Sequence, residues 1–135
     1  MTCFIDTSAF YAVLDGDDRN HAAADAQWTE LLRQGVELFT TSYVLVETYA
    51  LLQHRLGLAA VRTFREDVYP LLHVDWIDRE LHDGGTGALL SAQRRQLSLV
   101  DCISFESMRR RGVRHAFVFD PHFAKQGFLV LPREE

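Results

Sequence analysis

Five short apolar runs separated by longer stretches of helical periodicity constrain this chain more than any other feature. Thr2 to Ile5, Leu38 to Thr40, His73 to Trp76, Ala116 to Phe119 and Phe128 to Leu131 each read as a strand. Apolar runs of this length, without a polar alternate face, suit strands covered on both sides, and helical spacers suit parallel crossovers. The expected fold is therefore α/β: a three-layer α/β/α sandwich around a mainly parallel sheet of about five strands. A chain of 135 residues with 47% hydrophobic content can fill one core, so a single domain spanning residues 1–135 is expected.

The spacers carry their own punctuation. Asp6, Thr7 or Ser8 can cap a first helix from Ala9 to Leu14, and Asp15 to Asn20 is a polar loop. Ala24, Trp28, Leu31 and Leu32 then mark one face of a helix that stops at Gly35. Thr41 and Ser42 open a third helix that runs to Gly57 and is apolar nearly all round, which predicts that it is largely buried. Leu58, Val61, Phe64, Val68 and Leu71 predict a further helix, ended or bent by Pro70. Asp78 is an N-cap for the next helix, whose Gly84, Gly85 and Gly87 predict a frayed or mobile half. Ser98 and Asp101 have the spacing of a capping box for a last long helix that ends at Gly112.

Four acids stand where chemistry is expected. Asp6 and Asp120 each follow a strand, and in open parallel sheets ligands sit beyond the carboxyl ends of the strands. Glu47 lies within an apolar helical run, where an unpaired carboxylate needs a cation, a proton or hydrogen bonds. Asp101 lies in the first turn of its helix. Three of them have a structural alternative: a cap for Asp6 and Asp101, a solvent stripe for Glu47. A cap and a ligand role are compatible, and helices that begin at one sheet edge bring all four acids toward that edge.

Charge and composition narrow the chemistry. The formal net charge is −5, so the basic surface of a non-specific nucleic-acid binder is missing. Four clustered acids neutralised by divalent cations would bring the remainder near zero, so a metal-dependent nuclease stays in play. Arg109, Arg110, Arg111 and Arg114 suit phosphate but equally complement a helix C-terminus, the reading we favour. Cys3 and Cys102 have no metal-ligand spacing and read as small buried hydrophobes. No charged-then-apolar signal segment or long apolar span is recognisable, which leads to an expectation of a cytoplasmic protein without a membrane partner. His73, His82 and His115 lack metal-binding spacing, and His122 reads as an isolated loop histidine.

Oxygen-only ligands fit Mg2+ or Mn2+ rather than zinc, and carboxylate-held Mg2+ suits phosphodiester hydrolysis by activated water. No protein nucleophile is then needed, in keeping with the absence of a Ser-His-acid pattern or a phosphate-cradling glycine loop. A receiver-like signalling domain is a rival from another class, but it wants adjacent acids after the first strand. Here Thr7 and Ser8 follow Asp6, and Lys125 lies in a turn well past Asp120. A phosphatase with a paired-Asp signature is opposed by Ser8 in the place of its second Asp.

Phe4-Ile5-Asp6-Thr7-Ser8, Thr41-Ser42 with Val46-Glu47, Leu97-Ser98-Leu99-Val100-Asp101, and Phe119-Asp120 with His122-Phe123 and Gly127-Phe128 occur in that order. The set resembles the successive motifs of PIN-domain ribonucleases, with VapC-type toxins of toxin–antitoxin pairs the nearest likeness, across essentially the whole chain. The resemblance implies a PIN-like fold and Mg2+ or Mn2+ held by Asp6, Glu47, Asp101 and Asp120, with Thr7 or Ser8 in support. Asp120 matches the most variable of the four acids. It further implies a homodimer, a small cognate antitoxin, and cleavage of structured RNA, of the tRNA or rRNA class, leaving a 5′-phosphate and a 3′-hydroxyl. A catalytically inactive RNA- or protein-binding module is the alternative within the same fold. The glycine-interrupted segment Asp83 to Gly87 departs from the helix expected there.

Overall fold

The computed structural model describes residues 1–133. Strand β1 (Thr2–Ile5) leads into α1 (Thr7–Leu14) and α2 (His21–Arg33), β2 (Glu37–Thr41), α3 (Ser42–Leu56) and α4 (Leu58–Thr63). A π-turn (Phe64–Val68) and a 3-10 turn (Tyr69–Leu71) precede β3 (Leu72–Asp75). Then come α5 (Arg79–Ala92), α6 (Leu99–Arg111), β4 (His115–Phe117), α7 (His122–Lys125) and β5 (Leu129–Leu131).

The sheet has the order β3-β2-β1-β4-β5, with every neighbouring pair parallel. Right-handed crossovers send α1 to α4 to one face and α5 to α7 to the other. Aromatic packing records both layers. Phe64 meets Phe10 and Tyr49 edge-on at centroid distances of 5.1 and 5.2 Å on the first face. On the second, Phe123 stacks on Phe4 at 5.6 Å and meets Phe105 at 4.9 Å. Cys3, Phe4 and Ile5 are fully buried because β1 is the central strand, and Cys3 and Cys102 are both buried free thiols.

From β1 the chain moves outward through β2 to β3, then returns across the sheet to β4. Beyond the carboxyl ends of β1 and β4 the helical connections diverge to opposite faces, which opens a crevice at that edge. Asp6 follows β1 directly, and the segment 118–120 carries Asp120 from β4 to the same crevice.

Three expectations need correction. Helix α3 is not largely buried: Val44, Leu45, Thr48 and Leu52 face inward, whereas Val46 is 70% exposed and Glu47 is also exposed. The segment after Gly57 is no single helix bent at Pro70, because α4 already gives way at Phe64 to the π-turn, which keeps Phe64 and Val68 buried. Nor is the glycine-containing helix frayed: α5 runs unbroken from Arg79 to Ala92, capped by Asp78, whose Oδ1 accepts from Leu81 N at 2.9 Å. Gly85 has a reason to be glycine. An added Cβ would lie 2.3 Å from Ile103 Cδ1, so the missing side chain lets α5 and α6 pack closely.

Candidate metal centre and active site

Asp6 is the N-cap of α1 and is only 5% exposed. Its Oδ2 accepts from Ser8 N at 3.1 Å and from Ser8 Oγ at 2.9 Å. Ser8 Oγ in turn accepts from Phe119 N at 3.0 Å. One hydroxyl therefore joins the end of β1 to the segment that carries Asp120. Burial pushes the Asp6 carboxyl up to about 7; the Ser8 hydrogen bonds oppose this, while the charges of Asp101 and Glu47 add to it.

Thr7 points elsewhere. Its Oγ1 lies 3.1 Å from Thr48 Oγ1 and donates to Val44 O at 3.4 Å, so it anchors α1 to α3 without touching an acid. That contact fixes the turn of α3 bearing Glu47, which neighbours buried Thr48. Glu47 is brought to the site by its helix, with its charge felt at Asp6. Its burial, inferred from its apolar neighbours, is not observed.

Asp101 is the third residue of α6 and closes the expected capping box. Ser98 Oγ accepts from Asp101 N at 3.0 Å, while Asp101 Oδ2 accepts from Ser98 N at 3.4 Å. With 8% exposure its carboxyl is raised chiefly by burial and then by the charge of Asp120, against the lowering effect of Ser98 and His122. Asp120 Oδ1 accepts from His122 N at 2.8 Å, and His122 Nε2 stands 3.9 Å from the same oxygen. Ligand atoms of Asp101, Asp120 and His122 all lie within 4.8 Å of one another.

Sequence reasoning set His122 aside. The signal was its place two residues behind Asp120, where a turn closed by the carboxylate brings the ring back to the acids. Arg109, Arg110 and Arg111, though not Arg114, lie in the last turn of α6, the placement favoured above. Arg111 donates to Asp75 Oδ1 at 3.1 Å and covers the Phe39 ring, and Arg110 and Arg109 lie 3.9 Å from Glu80 and Glu106.

Among the described residues, no Lys or Arg forms an ion pair with Asp6, Glu47, Asp101 or Asp120. Two carboxylates are thus buried, raised in pKa and mutually repelling without a Lys or Arg partner among the described residues. Such a set fits a hard divalent cation, which would supply the missing positive charge through oxygen ligands, with one imidazole at the rim.

Residues 3–129 match the PIN domain family. The chain belongs to the PIN-domain family. Within it, this PIN-domain protein is of the VapC type. It is 31% identical over 132 residues to the 23S rRNA-specific endonuclease VapC20 of Mycobacterium tuberculosis, covering 97% of this chain and 98% of the relative. It is 26% identical over 136 residues to a VapC ribonuclease of Aquifex aeolicus, covering 97% of each. The crystal structure of Mycobacterium tuberculosis VapC20, a Sarcin-Ricin loop cleaving toxin, superposes with a TM-score of 0.85 at 28% identity, over 95% of this chain and 97% of that one. FitAcB from Neisseria gonorrhoeae shares the fold with a TM-score of 0.70 at 10% identity, over 96% of each chain. Family membership removes the receiver and phosphatase readings of the acids.

Proposed function

We infer that this PIN-domain protein is the endoribonuclease toxin of a toxin–antitoxin pair, and that Asp6, Glu47, Asp101 and Asp120 hold its divalent cation, Mg2+ or Mn2+. The observation that carries the site is the buried pair Asp6 and Asp101, raised in pKa and without a Lys or Arg partner among the described residues. Uncompensated buried charge is costly, and divalent metal binding offsets it. When bound, such a cation lowers the pKa of a water and offsets negative charge at a phosphodiester.

The chain's own residues do the positioning. Ser8 holds Asp6 in one rotamer and ties it to the Asp120 segment, so two metal-site acids move as a unit. Ser98 fixes Asp101 at the start of α6. Glu47 reaches the site from the exposed side of α3, where solvent and substrate have access. His122 sits where it can carry a proton beside Asp120. Thr7 supports the site through α3 rather than directly.

The substrate is structured RNA of the tRNA or rRNA class, cut to leave a 5′-phosphate and a 3′-hydroxyl. The 23S rRNA specificity named for the relative makes that RNA the first to test. A cognate antitoxin and a second copy of the chain are the proposed protein partners. Residues 1–135 act as one nuclease domain in the cytoplasm, and no helix among the described residues is long and apolar enough to cross a membrane.

The test is cleavage of end-labelled total RNA and of 23S rRNA by purified protein with Mn2+ or Mg2+, with chelator and Asp101→Ala controls. Discrete metal-dependent fragments bearing 5′-phosphates, lost in the variant, are expected. Equal cutting by both proteins, or metal-independent cutting, would refute the assignment. Metal binding with no cleavage of any RNA would favour the inactive binding module.

A further inference from the structure

Beside Asp120 the surface opens into a cavity of about 540 Å³ that the acids alone do not explain. Its walls are largely apolar, with Phe119, Val130 and Pro132 among them, and Lys125 and Arg133 line it with Asp120. A separate cavity of about 400 Å³, lined by Gly35, Glu37 and Leu72, lies at the opposite edge of the sheet, away from every acid named above.

Lys125, the chain's sole lysine, ends α7 and makes no ion pair among the described residues. In contrast, Arg33, Arg109, Arg110 and Arg111 are all engaged with carboxylates elsewhere. The cavity therefore combines an apolar wall, two cationic side chains and, of the four acids, the Asp120 carboxylate. An aromatic and aliphatic wall suits the face of a base, and Lys and Arg at its margin suit phosphate. Its volume falls within the range of sites that take small organic groups, enough for a nucleotide unit. RNA loops present unstacked bases of this kind, whereas a paired base would remain in its helix.

We propose that this cavity receives one unstacked nucleotide of the RNA next to the scissile phosphate, with its base against Phe119, Val130 and Pro132 and its backbone phosphate paired with Lys125 and Arg133. The site rests on the nuclease reading above and adds the determinant that sets which phosphodiester lies over the acids. Phe119 links the two regions mechanically: its N–H is held by Ser8 Oγ, the same hydroxyl that donates to Asp6. A base seated against Phe119 is thereby placed relative to Asp6 and Asp120.

Two variants probe the cavity without touching an acid. Ala124→Phe fills it, since Ala124 lines the cavity and is exposed, and Lys125→Ala removes a cation. The probe is a synthetic hairpin of the 23S rRNA Sarcin-Ricin loop. Each variant should raise KM for cleavage by ~10-fold or more, the size of one lost stacked base or phosphate contact, with kcat changed much less. Lys125→Ala should also flatten the salt dependence of RNA binding by about one phosphate contact. Mn2+ binding by calorimetry should be unchanged in both.

A structural readout comes from the Asp101→Asn protein and hairpins carrying 2-aminopurine at single positions around the cut. One flanking position should brighten on binding as its base leaves the stack, and Ala124→Phe should abolish that signal. Wild-type kinetics in both variants, or 2-aminopurine signals indifferent to Ala124→Phe, would overturn the proposal while leaving the nuclease reading intact. Failure of the wild-type protein to bind or cut the hairpin and every other RNA would overturn both. Loss of antitoxin binding in Ala124→Phe with RNA kinetics unchanged would assign the cavity to the protein partner instead.

Discussion

Replacing Asp6 by Asn should make the metal-free protein more stable at pH 8 while abolishing its activity. In the fold the Asp6 carboxyl titrates at about 7 because it is buried, whereas in the unfolded chain it titrates near ~3.9. An acid whose folded pKa is raised favours the protonated native state. Its stability contribution is most favourable below about pH 4, declines as pH rises toward about 7, and stays low above that. A difference of about three pH units at ~1.36 kcal/mol each sets an upper limit of about 4 kcal/mol on the penalty. Asn keeps the shape and can accept from Ser8 N, but loses the charge-assisted bond from Ser8 Oγ. Subtracting about 1.5–3 kcal/mol for that bond leaves a net gain at pH 8 of about 1–2.5 kcal/mol, or roughly 3–8 °C in Tm for a chain of this length. The assay is thermal unfolding in chelator at pH 4.5 and pH 8 for wild type and Asp6→Asn. The variant should gain at pH 8 and not at pH 4.5, and 1 mM Mn2+ should stabilise wild type but hardly move the variant. A variant less stable than wild type at pH 8 in chelator would refute the reasoning that Asp6 is an uncompensated buried charge.

Other consequences can be checked with the same tools. Ser8→Ala strands Phe119 N–H and removes the Ser8 Oγ hydrogen bond to Asp6, leaving the one from Ser8 N, so it should cost about 1–3 kcal/mol in denaturant unfolding and weaken Mn2+ affinity in calorimetry. Because Glu47 is exposed, Glu47→Gln should cut the cleavage rate while leaving Tm within about 2 °C of wild type. Gly85→Ala should destabilise by about 1–3 kcal/mol through collision with buried Ile103, whereas Gly84→Ala and Gly87→Ala, with open space at the Cβ, should each stabilise by about 0.5–1 kcal/mol. Apparent Mn2+ affinity should rise steeply between pH 6 and pH 7 as Asp6 gives up its proton, and level off above, as calorimetry across that range will show.

Local chemistry made much of this fold readable. Asp6, Thr41, Asp78 and Ser98 all cap the helices that their side chains announce, and Gly57 and Gly112 end the helices they were expected to end. Each signal is complete within a few residues. Gly85 was misread because its reason lies in Ile103, on the neighbouring helix, and no local pattern separates a packing glycine from a weakening one. Glu47 rests on an argument from burial that the structure does not support. Its apolar neighbours suggested burial, yet Val46 faces outward, so hydrophobic content overstated what α3 hides. The break at Phe64 had no proline or glycine to mark it, while Pro70 drew attention to a point already past the helix. His122 needed the turn at Asp120 to be folded before its nearness to Asp101 could be seen.

The central claim, that acids from separate elements converge to hold a divalent cation, is tested most directly by anomalous diffraction from crystals equilibrated with Mn2+ at pH 8. The account predicts an anomalous peak bonded to carboxylate oxygens of Asp6 and Asp101, with Asp120, His122 or Glu47 completing the site, and no such peak in Asp101→Asn crystals. A fully occupied peak elsewhere, or none at these acids under conditions where the enzyme cleaves RNA, would contradict it.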